Sequence, residues 1–137
     1  MLYYGEIIDR KRVFKTKAFD RWAKKVLSDK VLCTPAREIE QGIYEADLGH
    51  GVCKKRVAIP GHGKSGSTRT LVAKQHPAAI VFLVGREKNE PGPDFSDVVV
   101  TAAKAIADDL HQQEIEKLEE LALKGSLKEI CHAKKDK

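Results

Sequence analysis

Hydrophobic positions in the first third of the chain recur with the spacing of an α-helix. Four of them follow one another at i, i+3, i+4 and i+7: Phe19, Trp22, Ala23 and Val26. This spacing predicts a helix with one apolar face. A second helical stretch is predicted from an N-cap at Ser28 to a stop at Gly42, with a kink or break near residue 34 because Pro35 interrupts it. Thr34 could instead cap a fresh segment that has Pro35 in its first turn.

Residues 12–17 precede these helices and contain β-branched and aromatic side chains, which predicts an edge strand. After residue 51 the hydrophobic period changes to two. Three consecutive strands are predicted at residues 53–59, 68–75 and 79–87, separated by a glycine-rich loop and a turn. The third strand is apolar enough to lie centrally in a sheet. The pattern therefore predicts a three-stranded antiparallel meander joined by the early edge strand.

The helical period returns after Ser96, which is suited to cap a helix. Its predicted apolar stripe consists of Val98, Ala102, Ala105, Ile106 and Leu110. The stripe slips near residues 111–113, which predicts a bend or a second helix, and Gly125 ends it; residues 126–130 are expected to form a short terminal arm. The fold class is therefore α+β, with a small antiparallel sheet of about four strands, two N-terminal helices packed on it and a long C-terminal helical segment.

The composition is that of a soluble globular protein with a single domain. The chain has 137 residues, 42% of them hydrophobic and 33% charged; we place the core at about residues 12–125, with 1–11 and 126–137 as tails or short arms. No apolar run is long enough to span a bilayer and the first residues lack the charge order of a signal peptide, so we expect a cytoplasmic protein without membrane contact. Three widely spaced cysteines predict free thiols: Cys33, Cys53 and Cys131.

Positive charge is concentrated in the predicted meander. Residues 54–69 contain five Lys or Arg and no Asp or Glu, in a chain whose formal net charge is +5. Strand alternation places Lys54 and Arg56 on the same face, and strand pairing could bring Arg69 to that face as well. A surface of this kind favours a polyanion that carries phosphates, whereas the alternative interpretation is a solvated strand face.

Basic residues outside the strand faces extend the same cluster. The loop contributes Lys64 and His62, and its glycines permit close approach of a ligand. Arg86 and Lys88 alternate onto one face at the end of the third strand. Lys55 is the exception, because alternation puts it on the apolar face of its strand.

Two other kinds of site have partial motifs in the chain. Residues 63–65 resemble part of a P-loop, but Ala58 stands where that motif needs a glycine, and a strand follows where it needs a helix. Fragments of a zinc site occur as two pairs: His50 with Cys53, and Cys131 with His132. A structural zinc site needs four ligands, so zinc stays a minor alternative and Cys53 is interpreted as a buried small hydrophobe. We expect no nucleotide hydrolysis, no cofactor and no metal.

The chain resembles the RelE/ParE superfamily of toxins from type II toxin–antitoxin systems, in particular its HigB-like branch. The matching segments occur in the family's order and at its spacing: residues 14–25, 37–42, 46–49, 54–58, 61–66, 69–73 and 88–90. Together they cover roughly residues 13–125. The resemblance implies a RelE-like fold in which helices pack on one side of an antiparallel sheet.

The same resemblance implies an mRNA interferase, a ribosome-dependent endoribonuclease that cuts mRNA in the A site and so inhibits translation. Its implied partners are mRNA on the ribosome and a cognate helix-turn-helix antitoxin, with the toxin a monomer alone and oligomeric with the antitoxin. By position, the catalytic residues are Arg56, Arg69 and Lys88. RNA-binding roles are assigned to five further basic residues: Lys54, Lys55, His62, Lys64 and Arg86.

The chain departs from the family pattern in three places. Thr68 stands where an aromatic often precedes the second-strand arginine, Val84-Gly85-Arg86 stands where the family favours Tyr-Gly-Phe, and Pro91 replaces an arginine. These departures favour, as an alternative, a catalytically weakened protein that binds its antitoxin or RNA. A ParE-like inhibitor of gyrase is a third function class, and the basic cluster argues against it.

Overall fold

Six strands form one mixed sheet in the computed structural model, which describes residues 10–61, 66–87, 90 and 94–132. The strands are β1 (Arg12–Thr16), β2 (Ala46–Gly49), β3 (Val52–Ala58), β4 (Ser67–Ala73), β5 (Ala79–Glu87) and β6 (Leu127–Ile130). Their order across the sheet is β2-β3-β4-β5-β1-β6. β3, β4 and β5 are antiparallel neighbours, so the predicted meander is confirmed, and β5 is central as expected.

The predicted edge position of β1 is wrong. β1 lies between β5, to which it is parallel, and β6, to which it is antiparallel. Both Val13 and Phe14 are buried, one on each face of the sheet. The predicted sheet of about four antiparallel strands is also wrong, because the sheet has six strands and β1 is parallel to β5. β2 and β6 were not predicted because an alternation of four residues is too short to mark a strand.

Four helices flank the sheet: α1 (Lys17–Ala23), α2 (Cys33–Glu40), α3 (Asp97–Gln112) and α4 (Ile115–Leu123). The Thr16 hydroxyl caps α1 by accepting the Phe19 N–H at 3.0 Å, and Ser96 caps α3 as predicted. The second helical stretch is interrupted as predicted, since a short 3₁₀ helix, Lys30–Leu32, precedes α2 and runs into it. No side chain caps this 3₁₀ helix, so the N-cap predicted at Ser28 is wrong. Within the described residues, no helix is long and apolar enough to cross a bilayer.

Helices cover both faces of the sheet, so the implied packing on one side only is wrong. On the first face, α1 and α2 share a core that includes Phe19, Ala23, Ile39, Val57 and Phe82. On the second face, α3 and α4 share a core that includes Phe14, Leu71, Val81, Ala107 and Leu118. The cause is visible in the first half of β5, where the successive residues Val81 and Phe82 point to opposite faces and are both buried.

The buried stripe of α3 also differs from the prediction. Leu110 is buried as expected, but its buried neighbours are Ala103 and Ala107, whereas Val98 and Ile106 are exposed. The helix is apolar over a wide arc, so its composition allowed two orientations that differ by about one position.

A disulfide joins Cys33 at the start of α2 to Cys131 just after β6, with an S–S distance of 2.12 Å. The prediction of free thiols is therefore wrong for these two residues, because a separation of 98 residues hides their proximity. Cys53 is free and buried, as interpreted. Burial raises the pKa of its thiol to about 12, so it stays protonated at neutral pH.

Candidate functional site: a basic cleft on the second sheet face

Three arginines from adjacent strands form one row across the sheet. Arg56 in β3 is the register partner of Arg69 in β4, and Arg69 is the register partner of Arg86 in β5. Side chains directly opposite each other on antiparallel strands share a face and have Cβ atoms about 5 Å apart. We call these residues the arginine row. Like charges in this arrangement destabilise a sheet, so an anionic ligand would relieve a cost built into the fold.

The row lies where the helical cover of the second face ends. Along β4, Leu71 and Ala73 are buried beneath α3 and α4, whereas Arg69 has a side chain that is 25% exposed. In β3, Arg56 is exposed, and among the described residues no carboxylate pairs with its side chain. The strands therefore fix the backbone positions of these two arginines at the edge of the helical cover, where Arg56 and part of Arg69 are accessible to a ligand.

Lys54 extends the row on the same face, two residues before Arg56 in β3. A cleft of about 240 Å³ lies against these side chains. It is lined by Glu45, Lys54, Arg56, Arg69 and Asp94. We call it the basic cleft. Of the five described residues that line it, three are cations, which suits an anionic ligand.

Asp94 reaches the cleft from the segment that leads into α3. Its Oδ2 atom pairs with Lys54 Nζ. Its Oδ1 atom lies 3.3 Å from Arg69 Nε, but it is buried and accepts no hydrogen bond from any described residue. The residue thus joins the two strands of the cleft by ion pairs with a cation on each.

Glu45 supports the cleft from the strand edge. Its backbone N–H donates to the Lys54 carbonyl at 2.9 Å, and its Oε1 atom accepts the Arg56 N–H at 2.7 Å. The carboxylate therefore fixes the β3 backbone between the two cations. The sequence interpretation missed both Glu45 and Asp94. No local pattern marks them, since Asp94 lies 40 residues from Lys54.

Arg86 ends the row and is tied to Glu90, which follows β5 in the chain. Its Nη2 atom donates to the Glu90 carbonyl at 2.7 Å, among its other contacts. The Glu90 carboxylate in turn accepts the Glu87 N–H at 2.8 Å. This cation is thereby held at the edge of the basic cleft, without being one of its lining residues.

Lys55 does not belong to the cluster in which it was placed. It lies on the first sheet face and is only 4% exposed. Its Nζ atom donates to the Ile43 carbonyl at 2.9 Å and pairs with Glu38 Oε1 at 2.8 Å. The alternation of β3 turns it away from Lys54 and Arg56, and the salt bridge is what permits its burial.

Three predicted site residues, His62, Lys64 and Lys88, lie outside the described residues, and their roles stay predictions. The two zinc fragments are engaged elsewhere, since His50 contacts Asp108 at 3.0 Å and Cys131 is in the disulfide. In the described ranges no three His, Cys, Asp or Glu side chains are grouped to hold a metal ion.

A model of the family described as the RelE toxin of the RelE / RelB toxin–antitoxin system matches residues 11–130. Comparison with curated proteins gives no match. The matched range contains all six strands, the four helices, the arginine row and Asp94. The fold and the cleft thus lie within the part of the chain that carries the family's sequence pattern.

Proposed function

The chain belongs to the RelE toxin family of toxin–antitoxin systems, and we propose that it is a ribosome-dependent endoribonuclease that cuts mRNA in the A site and inhibits translation. The arginine row is the observation that supports this proposal most strongly. Three arginines in register on a rigid sheet are costly for the fold and suit a phosphate backbone. The mixed six-stranded sheet with four helices is consistent with the fold of this family.

The chemistry proposed is the internal cleavage of RNA. A ribose 2′-oxygen gives its proton to water and bonds to the adjacent phosphorus. The bond from phosphorus to the 5′-oxygen breaks, and that oxygen takes a proton from water. Negative charge builds on the phosphoryl oxygens in the transition state. In this proposal Arg56 and Arg69 donate paired hydrogen bonds to these oxygens, and preorganised donors of this kind contribute the largest share of catalysis in many enzymes.

The open shape of the cleft fits a site that relies on the ribosome. Among the described residues no aromatic side chain lines the basic cleft, so this part of the chain offers no stacking platform that would hold a base in place. A ribosome that presents a fixed codon would supply this positioning and its entropic advantage. We also propose that the protein acts in the cytoplasm, where the ribosomes are, and that a cognate helix-turn-helix antitoxin neutralises it.

One family departure bears little on this site. Thr68 takes the place of a common aromatic, yet it is fully buried, and its hydroxyl donates to the Val57 carbonyl at 2.9 Å on the first sheet face. A side chain at this position points away from the arginine row. The substitution of Arg86 for an aromatic is different, because that residue lies in the row itself.

A translating extract tests the proposal. The purified protein is added to an extract that translates a defined mRNA, and the new 5′ ends of the RNA are mapped. We expect cuts inside codons of the translated frame and none when translation initiation is blocked. Intact mRNA at toxin concentrations that match the ribosomes would contradict the activity.

A non-catalytic binding module is the second candidate, favoured by Asp94, whose carboxylate already pairs with Lys54 and lies beside Arg69. This pairing lowers the positive charge available to a transition state. The binding module predicts a stable complex with the antitoxin together with intact mRNA in the same extract. Cleavage by the wild type excludes it.

A further inference from the structure

A carboxylate in the middle of a phosphate-binding surface needs a reason. Asp94 neutralises part of the charge that Lys54 and Arg69 offer, and it repels any phosphate that approaches them. A cleft that binds phosphate alone would bind it better without this residue. The carboxylate therefore indicates a ligand that carries a hydrogen-bond donor next to its phosphate.

The hydrogen bonding of the Asp94 Oδ1 atom supports the same conclusion. Oδ1 is buried, although the side chain as a whole is 32% exposed, and among the described residues it has no hydrogen-bond partner. A buried carboxylate oxygen without a donor is unfavourable, and a donor from a ligand would satisfy it. Arg69 Nε is close at 3.3 Å without donating to it. The position is thus ready to accept a hydrogen bond beside the guanidinium group.

The distance between Asp94 and Arg69 limits what that donor is. A phosphate held by the outer nitrogens of Arg69 lies within a few ångströms of Oδ1, because Nε of the same guanidinium is 3.3 Å away. In RNA a ribose 2′-hydroxyl is adjacent to each phosphate, whereas DNA has only hydrogen there. We infer that Asp94 accepts a hydrogen bond from the ribose 2′-hydroxyl and makes the basic cleft select RNA over DNA. This inference rests on the proposed function, since it requires a nucleic-acid backbone in the cleft.

Three labelled oligonucleotides of one sequence test the inference by binding at low salt: RNA, its 2′-fluoro form and its 2′-deoxy form. The 2′-fluoro form cannot donate a hydrogen bond but keeps an RNA-like sugar. We expect the wild type to prefer RNA over both analogues by about tenfold, the effect of one hydrogen bond to a charged acceptor. In Asp94→Ala this preference disappears, and affinity for DNA is unchanged or higher because Lys54 and Arg69 are released.

Two further variants separate an acceptor role from a structural role. Asp94→Asn keeps an acceptor oxygen without the charge, and it is expected to retain about a threefold preference for RNA. Asp47→Ala is the matched control. Asp47 is another carboxylate paired with a lysine, since its Oδ2 atom lies 3.3 Å from Lys74 Nζ, and it does not line the cleft. It is expected to keep the wild-type preference.

Each contrary result has a defined meaning. Equal binding of the three oligonucleotides by the wild type, or an unchanged preference in Asp94→Ala, overturns the role of Asp94 alone. Wild-type RNA affinity in the Arg56→Ala, Arg69→Ala variant removes the proposed phosphate site and the inference with it.

Discussion

Lys54 and Lys55 are neighbours in β3, yet their ammonium groups lie on opposite faces of the sheet. Lys54 pairs with Asp94 in the basic cleft, whereas Lys55 is buried against Glu38 and the Ile43 carbonyl. One residue of offset thus separates a cation that is available to a ligand from one that is committed to the fold.

The two lysines should respond differently to substitution. Lys55→Ala is expected to lower the free energy of unfolding by about 1–3 kcal/mol, because it leaves the Ile43 carbonyl and Glu38 without their partner. Lys54→Ala is expected to change the free energy of unfolding by less than about 0.5 kcal/mol. It should weaken RNA binding and reduce the slope of log affinity against log salt concentration by about one. Urea unfolding and binding at several salt concentrations measure both effects. A reduced salt dependence in Lys55→Ala would place this lysine in the RNA site after all.

Gly85 leaves the space that Trp22 fills. A Cβ atom at position 85 would overlap the six-membered ring of Trp22, which packs on β5 from α1. Gly85→Ala is therefore expected to destabilise the protein by about 1–3 kcal/mol in urea unfolding, as overpacking does. In a Trp22→Leu background the same substitution should cost much less, since the two sites are coupled. Equal costs in both backgrounds would disprove the coupling.

The disulfide between Cys33 and Cys131 closes a long loop, with 98 residues of separation. The Cys33→Ser, Cys131→Ser variant is expected to lose about 2–4 kcal/mol of unfolding free energy. Adding a reductant should produce a similar loss in the wild type and none in the variant, which keeps Cys53 as an internal control. A wild type whose unfolding ignores the reductant would argue against this bond.

His111 should make stability depend on pH. Burial, together with the charges of His76, Lys11 and Lys74, lowers its pKa below the ordinary value of 6.5, against the opposing effect of Asp108. Its Nε2 atom accepts the Gln75 N–H at 3.1 Å, which requires a neutral ring. The unfolded state therefore protonates His111 more readily than the folded state does. The contribution of His111 to the free energy of unfolding is fully present above about pH 6.5 and is lost as the pH falls from there towards the lower pKa of the folded state.

The His111→Gln variant isolates that contribution, since glutamine offers an acceptor oxygen but does not titrate. Unfolding free energies measured between pH 5 and pH 7.5 should fall less in the variant than in the wild type. An identical fall would show that other groups cause the pH dependence.

Local alternation was enough to predict the meander and the face of the basic residues. Arg56 and Lys54 were placed together because a strand has a period of two, and the register then brought Arg69 and Arg86 into line. The bounds of β5 also follow from its apolar composition. These features depend only on residues that are near in sequence.

The features that were missed depend on contacts between distant residues. The partner of Cys33 is 98 residues away, and Asp94 meets Lys54 only once the chain has passed through β4 and β5. The inner position of β1 is set by β6, which has only four residues. The orientation of α3 was open because apolar residues occupy more of its circumference than the sheet covers.

Cleavage by the arginine row is the central claim, and one comparison in a translating extract tests it most directly. The Arg56→Ala, Arg69→Ala variant is measured beside a Lys24→Ala, Lys25→Ala variant, which removes the same charge from an exposed region at the end of α1. We expect A-site cuts at wild-type rates in the lysine variant and a loss of at least about 100-fold in the arginine variant, with both folded by circular dichroism. Cleavage at the wild-type rate by the arginine variant would contradict the account.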